Sequence, residues 1–584
     1  MRVKTAVPII IAGVLLMLIG IGQRTFWAPP ETVTFSVPAG AEAGPVTVID
    51  AAARNDEAGD VDITVKSGGP FTLAVGRAAD VDAWVGDAAH LRVTGVGDEE
   101  LTTKFTEGEA TVPDPRGADL WTSEETAEGS VTHHWINPAE GDFSILLVSD
   151  GTAAAPSDIS ITEPNDASTP LAVPLIIGGA LLAVLGIALL FISPRSTGSG
   201  RGRPTPAPEG SRAYLRQQRA AADRGVRARR MVHPVAVAAA ALLAGTAVAG
   251  PAAAQQAVPQ QTVKQQTVKQ QTAKQETKAA EGGSGNAKPG APAVLEPQLE
   301  RILQSVATTV AEADAAADSK LLQPRAGGAA LELRTAGYAV RAKDKKASAA
   351  APVAGSPVLT RVIPTAGEWP RTVVALTQGE GNPVPQALVL TQDNPRTNYK
   401  LVSAIQMLPG TTFPASAADG ALKELAPDAE EGLAMAPQTA VAAIADFLTS
   451  PKGKHKGTFE ANSFADAITG FQAGVVADRD NAAATISFRH VAQAPSTRAL
   501  GTEDGGAVVF GYLKHTYSSV PKGRGDSIDL NGTIYETLTG REKTEKGIDV
   551  NYGEAVMMYV PPAGSKDKIR VIGAAQQLLA AKLK

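Results

Sequence analysis

The 584-residue chain has no cysteine. Disulfides, thiolate nucleophiles, iron–sulfur clusters and cysteine-ligated zinc are therefore excluded. Any exported part of the protein must be stable through ordinary cores. Catalytic signatures are missing as well: there is no Gly-x-Ser-x-Gly elbow, P-loop, His-Glu-x-x-His or dinucleotide fingerprint. Aromatic residues are scarce at 4%, and the net charge of −6 is modest for this length. That small net value conceals a strong unevenness. Arginine is concentrated between Arg195 and Arg230, and an uncharged apolar run lies on each side.

The first apolar run is N-terminal. Arg2 and Lys4 precede Ala6–Gly22, and Phe26 and Trp27 come after it. At 1.5 Å per residue such a run spans about 26 Å, slightly less than a hydrocarbon core. No small-residue cleavage site is present beyond it, and the bulky aromatic pair stands where an interfacial belt belongs. These features favour a retained helix over a cleaved signal peptide. Leu171–Ile192 is a second, fully uncharged run and the clearest transmembrane helix. After it come Arg195, Arg201, Arg203, Arg212, Arg216, Arg219, Arg224, Arg227, Arg229 and Arg230, against only Glu209 and Asp223. Arginines at this density place the loop in the cytoplasm, where they determine topology and contact anionic lipid headgroups at about 1 kcal/mol each. Tyr214 is the one aromatic among them, so stacking recognition of nucleic acid is not supported.

A third run, Val235–Ala254, is rich in alanine and ends in Ala247-Val248-Ala249 and Ala252-Ala253-Ala254, both acceptable to signal peptidase. It reads as a transmembrane or internal signal-like helix. Retained or cut, it exports the C-terminal half of the chain. Gln255–Pro292 is low-complexity, with Gln260–Lys264 echoed at Gln265–Lys269 and Gln270–Lys274. A five-residue period matches neither helix nor strand, so a disordered spacer is expected, about 35 Å long as a coil. It would hold the next domain away from the bilayer.

Between the first two runs, residues 31–169 show short β-rich stretches at sandwich spacing: Val33–Val37, Val46–Ala51, Val61–Val65, Phe71–Gly76, Leu91–Thr94 and Phe143–Val148. No amphipathic helix is evident there. The C-terminal half opens on a strong one, with Leu295, Leu299, Ile302, Leu303, Val306, Val310, Ala313, Ala317 and Leu321 on one face. Strands are expected at Val358–Ile363, Thr372–Leu376, Ala387–Leu390 and Tyr399–Leu408. Helices come next at Pro437–Thr449 and Ser463–Gln472. The last strands are Thr485–Val491, Val508–Tyr517, Ile528–Leu530, Val556–Val560 and Ile569–Ile572, before a short helix Ala574–Leu583.

The expected fold class is thus a multidomain membrane protein. It has a cytoplasmic N-terminus (1–5), transmembrane helices (6–22, 171–192, 235–254) and an exported all-β sandwich-like domain (31–169). A cytoplasmic Arg-rich loop (194–232) and a spacer (255–292) lead to an exported α+β domain. That domain comprises two helix-then-antiparallel-sheet units, 293–425 and 430–584, with the general arrangement of cystatin-like or NTF2-like folds.

Asp80–Asp87, Ser149-Asp150-Gly151-Thr152, Tyr399-Lys400-Leu401 and Met558-Tyr559-Val560-Pro561 together carry a likeness over most of the chain. It resembles uncharacterised actinobacterial multi-pass envelope membrane proteins with a C-terminal domain of unknown function. In such relatives a lipoprotein cysteine stands near the position of Thr246. Its absence here leaves tethering to the helix itself.

Seven histidines are the candidate ligands: His90, His133, His134, His233, His455, His490 and His515. His133 and His134 are neighbours on an expected strand, so their rings point to opposite faces and do not chelate one ion. His490 and His515 fall on expected strands that can meet, and ordinary buried or edge partners are expected for them. Ser565-Lys566-Asp567-Lys568 matches the Ser-x-x-Lys pattern of penicillin-interacting enzymes but lies in a charged turn rather than at a helix start. Arg524-Gly525-Asp526 is a chance tripeptide. Asp478-Arg479-Asp480-Asn481 lacks the glycine and closing glutamate of a calcium loop. With no catalytic residue, metal site or cofactor to assign, the expected function is non-enzymatic binding or scaffolding in the cell envelope. The expected partners are membrane lipids and a cell-wall glycan or another envelope protein. An envelope enzyme acting on wall glycans or lipid-linked intermediates is the alternative.

Overall fold

The computed structural model of the chain describes residues 3–53, 60–97, 99–136, 142–165, 169–191, 290–415 and 418–584. The ten arginines from Arg195 to Arg230, His233, the run 235–254 and nearly all of the spacer lie outside them. Two compact units are present. One contains the apolar helices; the other joins residues 28–168 to residues 285–584.

Helices α1 (Val3–Arg24) and α3 (Ala172–Phe191) are long and apolar enough to cross a membrane. Both carry small residues at intervals of seven: Ala6, Gly13 and Gly20 on α1, and Ala172, Gly179 and Gly186 on α3. The two stripes meet head to tail. A Cβ on Gly13 would lie 2.6 Å from the Gly179 carbonyl oxygen, and one on Gly20 would lie 2.8 Å from that of Ala172. A seven-residue repeat keeps one seam facing its partner, and small side chains let helix backbones approach closely within lipid. Gly179→Leu should therefore pry the pair apart, at an overpacking cost of about 1–3 kcal/mol. Spin labels at the exposed positions Ile11 and Leu181 should then report a broadened distance distribution in detergent. An unchanged narrow distribution would contradict the close seam.

Residues 32–164 form one mixed eight-stranded sheet rather than two facing sheets. Strand β3 (Val61–Arg77) organises it. Along one edge β3 pairs with β6 (Trp121–Trp135) for nearly its whole length. Along the other, its first half pairs with β8 (Asp158–Pro164) and its second half with β7 (Phe143–Val148). The register slips between Lys66 and Pro70, at Ser67-Gly68-Gly69, and extra residues in one strand bend it. The sheet curls at this bend so that Ile63, Val65, Phe71, Leu73, Ile145 and Ile161 share one core. Its opposite face is covered by α2 (Ala78–Val85), a helix where none was expected. At eight residues α2 is too short to show helical periodicity in sequence. Val81, Trp84 and Val85 nonetheless bury one face, and Gly86, at φ 53°, ends it.

The C-terminal half contains mixed helices and strands, with a departure from two independent units. A single nine-stranded antiparallel sheet runs through both. Its first half is β9 (Val358–Val362), β10 (Arg371–Thr377), β11 (Gln386–Gln392) and β12 (Lys400–Met407). The second half is built mainly from β13 (Ala484–Ala492), β15 (Ala507–Pro521), β18 (Ile548–Val560) and β19 (Arg570–Leu583). The halves are welded where Gln406 and Met407 pair with Ala574 and Gly573. Each half has helices on one face: α4 (Glu296–Ala316) on the first, α6 (Pro437–Thr449) and α7 (Ser463–Ala477) on the second. The other faces pack on each other, so Val374, Leu376, Val389 and Met407 join Val508, Phe510, Ala555 and Met557 in one core. Burial on both faces explains why these strands read as continuous apolar runs.

Two helix assignments change. Residues 574–583 belong to β19, not to a helix: twelve register pairs tie β19 to β18, and that ladder overrides the helical propensity of alanine, glutamine and leucine. Helix α5 (Gly328–Lys343) was not expected from the sequence. Helix α4 stops at Ala317, which adopts the left-handed conformation at φ 51°, so Leu321 falls outside the apolar face and Leu322 is buried instead.

The C-terminal half and the β-domain belong to one compact unit. The two are docked through a polar seam built around α2 and the segment before β6. Asp80, 1% exposed, accepts from Arg77 Nε at 2.8 Å and from Arg371 Nη1 at 2.6 Å, and Arg77 also donates to the carbonyls of Pro292 and Ala293. Asp119 takes Arg325 Nη1 at 2.6 Å and the Tyr399 amide at 2.7 Å. At the far end of α2, Arg396 donates to the carbonyls of Trp84 and Val85 at 2.8 and 2.9 Å. A cation there meets the orphan carbonyls and the negative pole of the helix. Gln298 closes the N-terminal turn of α4 with its Oε1 and reaches the Leu120 carbonyl with its Nε2, at 2.7 Å.

Candidate functional site

The strand register of the second half-sheet brings three ionisable side chains together. His490 on β13 stands directly opposite His515 on β15. His515 in turn faces Tyr552 on β18, and Glu554 lies two residues further along that strand, hence on the same face. That face is the one beneath α6 and α7, shared by Leu513, Val556 and Met558. The imidazoles stack with centroids 4.0 Å apart. His490 and Glu554 side chains are 0% exposed and His515 2%.

Glu554 is the centre of the cluster. Its Oε1 accepts from His515 Nδ1 at 3.1 Å and Gln576 Nε2 at 2.9 Å, and lies 3.5 Å from His490 Nε2. Burial alone pushes the carboxyl up; hydrogen bonds and charge from His490 and His515 prevail and hold it at about 2. Burial pushes the His490 imidazole below its ordinary value, against the pull of Glu554. An ionised carboxylate stands at the heart of the cluster.

Thr449 on α6 fixes the orientation of His490. Its Oγ1 donates to the Ala445 carbonyl at 2.9 Å and accepts the His490 amide at 2.8 Å. With that hydroxyl proton used, His490 Nδ1, 3.4 Å away, can only be the donor. Neighbouring rings complete the wall: Phe488 stacks on Tyr517 at 5.2 Å, and Tyr552 stacks on His515 at 5.3 Å. Burial, seconded by the nearby Tyr535, pushes the Tyr552 phenol well above its usual range. A cavity of about 200 Å³ opens beside the cluster, lined by Phe464, Ile468, Phe471, His515, Tyr552 and Gln576.

The other candidates remain apart. His90 Nδ1 lies 2.8 Å from the Ala88 carbonyl oxygen. His133 and His134 sit on β6; His134 is exposed and pairs with Asp62 at 2.8 Å, whereas His133 is half-buried. His455 lies 3.7 Å from Asp446. Ser565 Oγ donates to Asp567 within the turn, Asp478 accepts its own loop's Asp480 amide, and Asp526 accepts that of Gly523. Glu554 was missed in the sequence. The available signal was a lone carboxylate before an otherwise apolar strand segment, Ala555–Val560, facing two histidine-bearing strands.

Residues 290–583, which contain the whole cluster, match the family described as a domain of unknown function (DUF8094). The chain belongs to that family. No curated protein and no solved structure matches it. Within the DUF8094 domain the His490–His515–Glu554 cluster lies in the second half-sheet, and the seam residues Arg325, Arg371, Arg396 and Tyr399 lie in or beside the first.

Proposed function

We propose that this is a non-enzymatic cell-envelope membrane protein in which the curled β-domain and the DUF8094 domain form one binding platform outside the membrane. The observation that carries this reading is the polar seam. Asp80 and Asp119 are almost wholly buried, and each is shared between the β-domain and arginines of the DUF8094 domain. A platform of fixed geometry suits scaffolding better than two beads on a flexible tether.

The seam also bears on topology. The β-domain lies between α1 and α3, so a chain leaving α3 emerges on the opposite side of the bilayer from it. Docking of the DUF8094 domain on the β-domain then requires one more crossing between residues 192 and 289. The run Val235–Ala254 supplies it, and the arginines from Arg195 to Arg230 mark the intervening loop as cytoplasmic. The close α1–α3 seam favours retention of the first helix, since a cleaved leader has no use for a matched partner.

Protease shaving of intact cells followed by mass spectrometry tests the arrangement. Peptides from residues 31–165 and 290–584 should be released, and none from 194–232. Release of Arg-loop peptides from sealed cells would sink it. Full-length protein in detergent should be retained on purified cell-wall glycan without turning it over. Turnover of wall glycan or of lipid-linked intermediates would replace this reading with that of an envelope enzyme, whose chemistry would centre on Glu554 and His515 beside their cavity.

A further inference from the structure

We infer that His490, His515 and Glu554 form a binding site for a divalent transition ion of the Zn²⁺ class. Three ligand atoms of these side chains lie within 4.8 Å of one another. Ligands about 2.0–2.1 Å from a tetrahedral zinc ion stand about 3.3 Å apart. The separations from Glu554 Oε1 to His515 Nδ1 and His490 Nε2, 3.1 and 3.5 Å, bracket that value.

Hydrogen bonding points the same way. With Nδ1 of His490 turned to the Thr449 hydroxyl, Nε2 faces the Glu554 carboxylate across 3.5 Å in a buried site. A metal ion between them would satisfy both groups, as would a proton on Nε2. His490 Nε2 is buried without a hydrogen-bond partner, a cost that ligation through that atom removes. Supporting contacts are in place: Thr449 orients His490, and Gln576 donates to Glu554, the outer-shell pattern that tunes metal-binding histidines and carboxylates. Two imidazoles and one carboxylate select zinc and its neighbours over calcium or magnesium, which take oxygen ligands. They leave a fourth position, and the cavity beside His515 provides room for water or an anionic ligand there.

The test uses full-length protein in detergent, stripped with a chelator and then titrated with ZnCl₂ or CoCl₂. One equivalent should bind per chain, and Co²⁺ should give the intense visible bands of a tetrahedral site. His490→Gln and Glu554→Gln should each weaken Zn²⁺ binding by at least about 100-fold, since even outer-shell changes cost about 10–100-fold. His134→Gln, on the other domain, should leave it unchanged. Near-ultraviolet circular dichroism identifies variants that keep the fold, and His490→Gln stands in if Glu554→Gln does not. The assignment is overturned if the stripped wild-type protein takes up neither ion, or if folded His490→Gln binds as tightly as wild type.

Discussion

Asp80→Ala should cost the full-length protein about 3–5 kcal/mol of unfolding free energy and loosen the DUF8094 domain from the β-domain. The size reflects the charges that the substitution strands. Asp80 is 1% exposed and is the shared counter-ion of Arg77 and Arg371, whose side chains are 10% and 6% exposed. Removing one partner of a buried ion pair leaves an uncompensated charge, at about 3–5 kcal/mol. Here two guanidinium groups are left facing each other. Stacking of Arg371 over the Trp369 ring, at 3.6 Å, cannot replace the carboxylate. Denaturant titration in detergent measures the loss, and hydrogen exchange should show faster amides in α2 and at the start of α4. A loss below about 1 kcal/mol, within the range of an exposed pair, would show that the seam is not buried in solution.

The second large effect is expected at Trp84. Its ring is 1% exposed, meets Trp121 edge-on at 5.8 Å and lies 5.5 Å below the Arg396 guanidinium. Trp84→Ala should cost about 3–5 kcal/mol through the cavity it leaves. Trp84→Phe, closer in size, should cost less because the edge contact and part of the volume survive. The carbonyl of residue 84 still accepts from Arg396 in both variants, so the difference isolates packing from the hydrogen bond. Equal losses for alanine and phenylalanine would show that the filled volume is not what holds this part of the core.

What the sequence made legible was periodicity and charge. Helix α4 was readable because its apolar residues step by three and four, and α6 because Pro437 opens it and an unbroken apolar face comes after. Strands β10 and β11 were readable as short apolar runs between turns, although nothing in them revealed that both faces are buried. Long-range partnership was not legible. The strand β19 carries helix-forming residues and is fixed only by β18, a neighbour in space whose pairing no local window contains. Likewise Asp80 and Trp84 stood out within a distinctive run, Asp80–Asp87, but their counterparts lie some 290 to 310 residues later in Arg371 and Arg396. At the candidate site, His490 and His515 were readable as histidines on strands that can meet. Glu554 was not, because a single carboxylate acquires meaning only once the register places it beside them.

The seam has a last consequence, for the fate of a nicked chain. Signal-peptidase-like positions at Ala249 and Ala254 lie between two domains that hold each other through buried ion pairs. A cut there opens a covalent loop whose two ends remain fastened to one folded body. Such a protein would run as two bands on a denaturing gel and as one species on a native gel, with the fragment that carries α1 and α3 retaining its severed half as a subunit. Processing would thereby convert a single polypeptide into a heterodimer without changing the folded body.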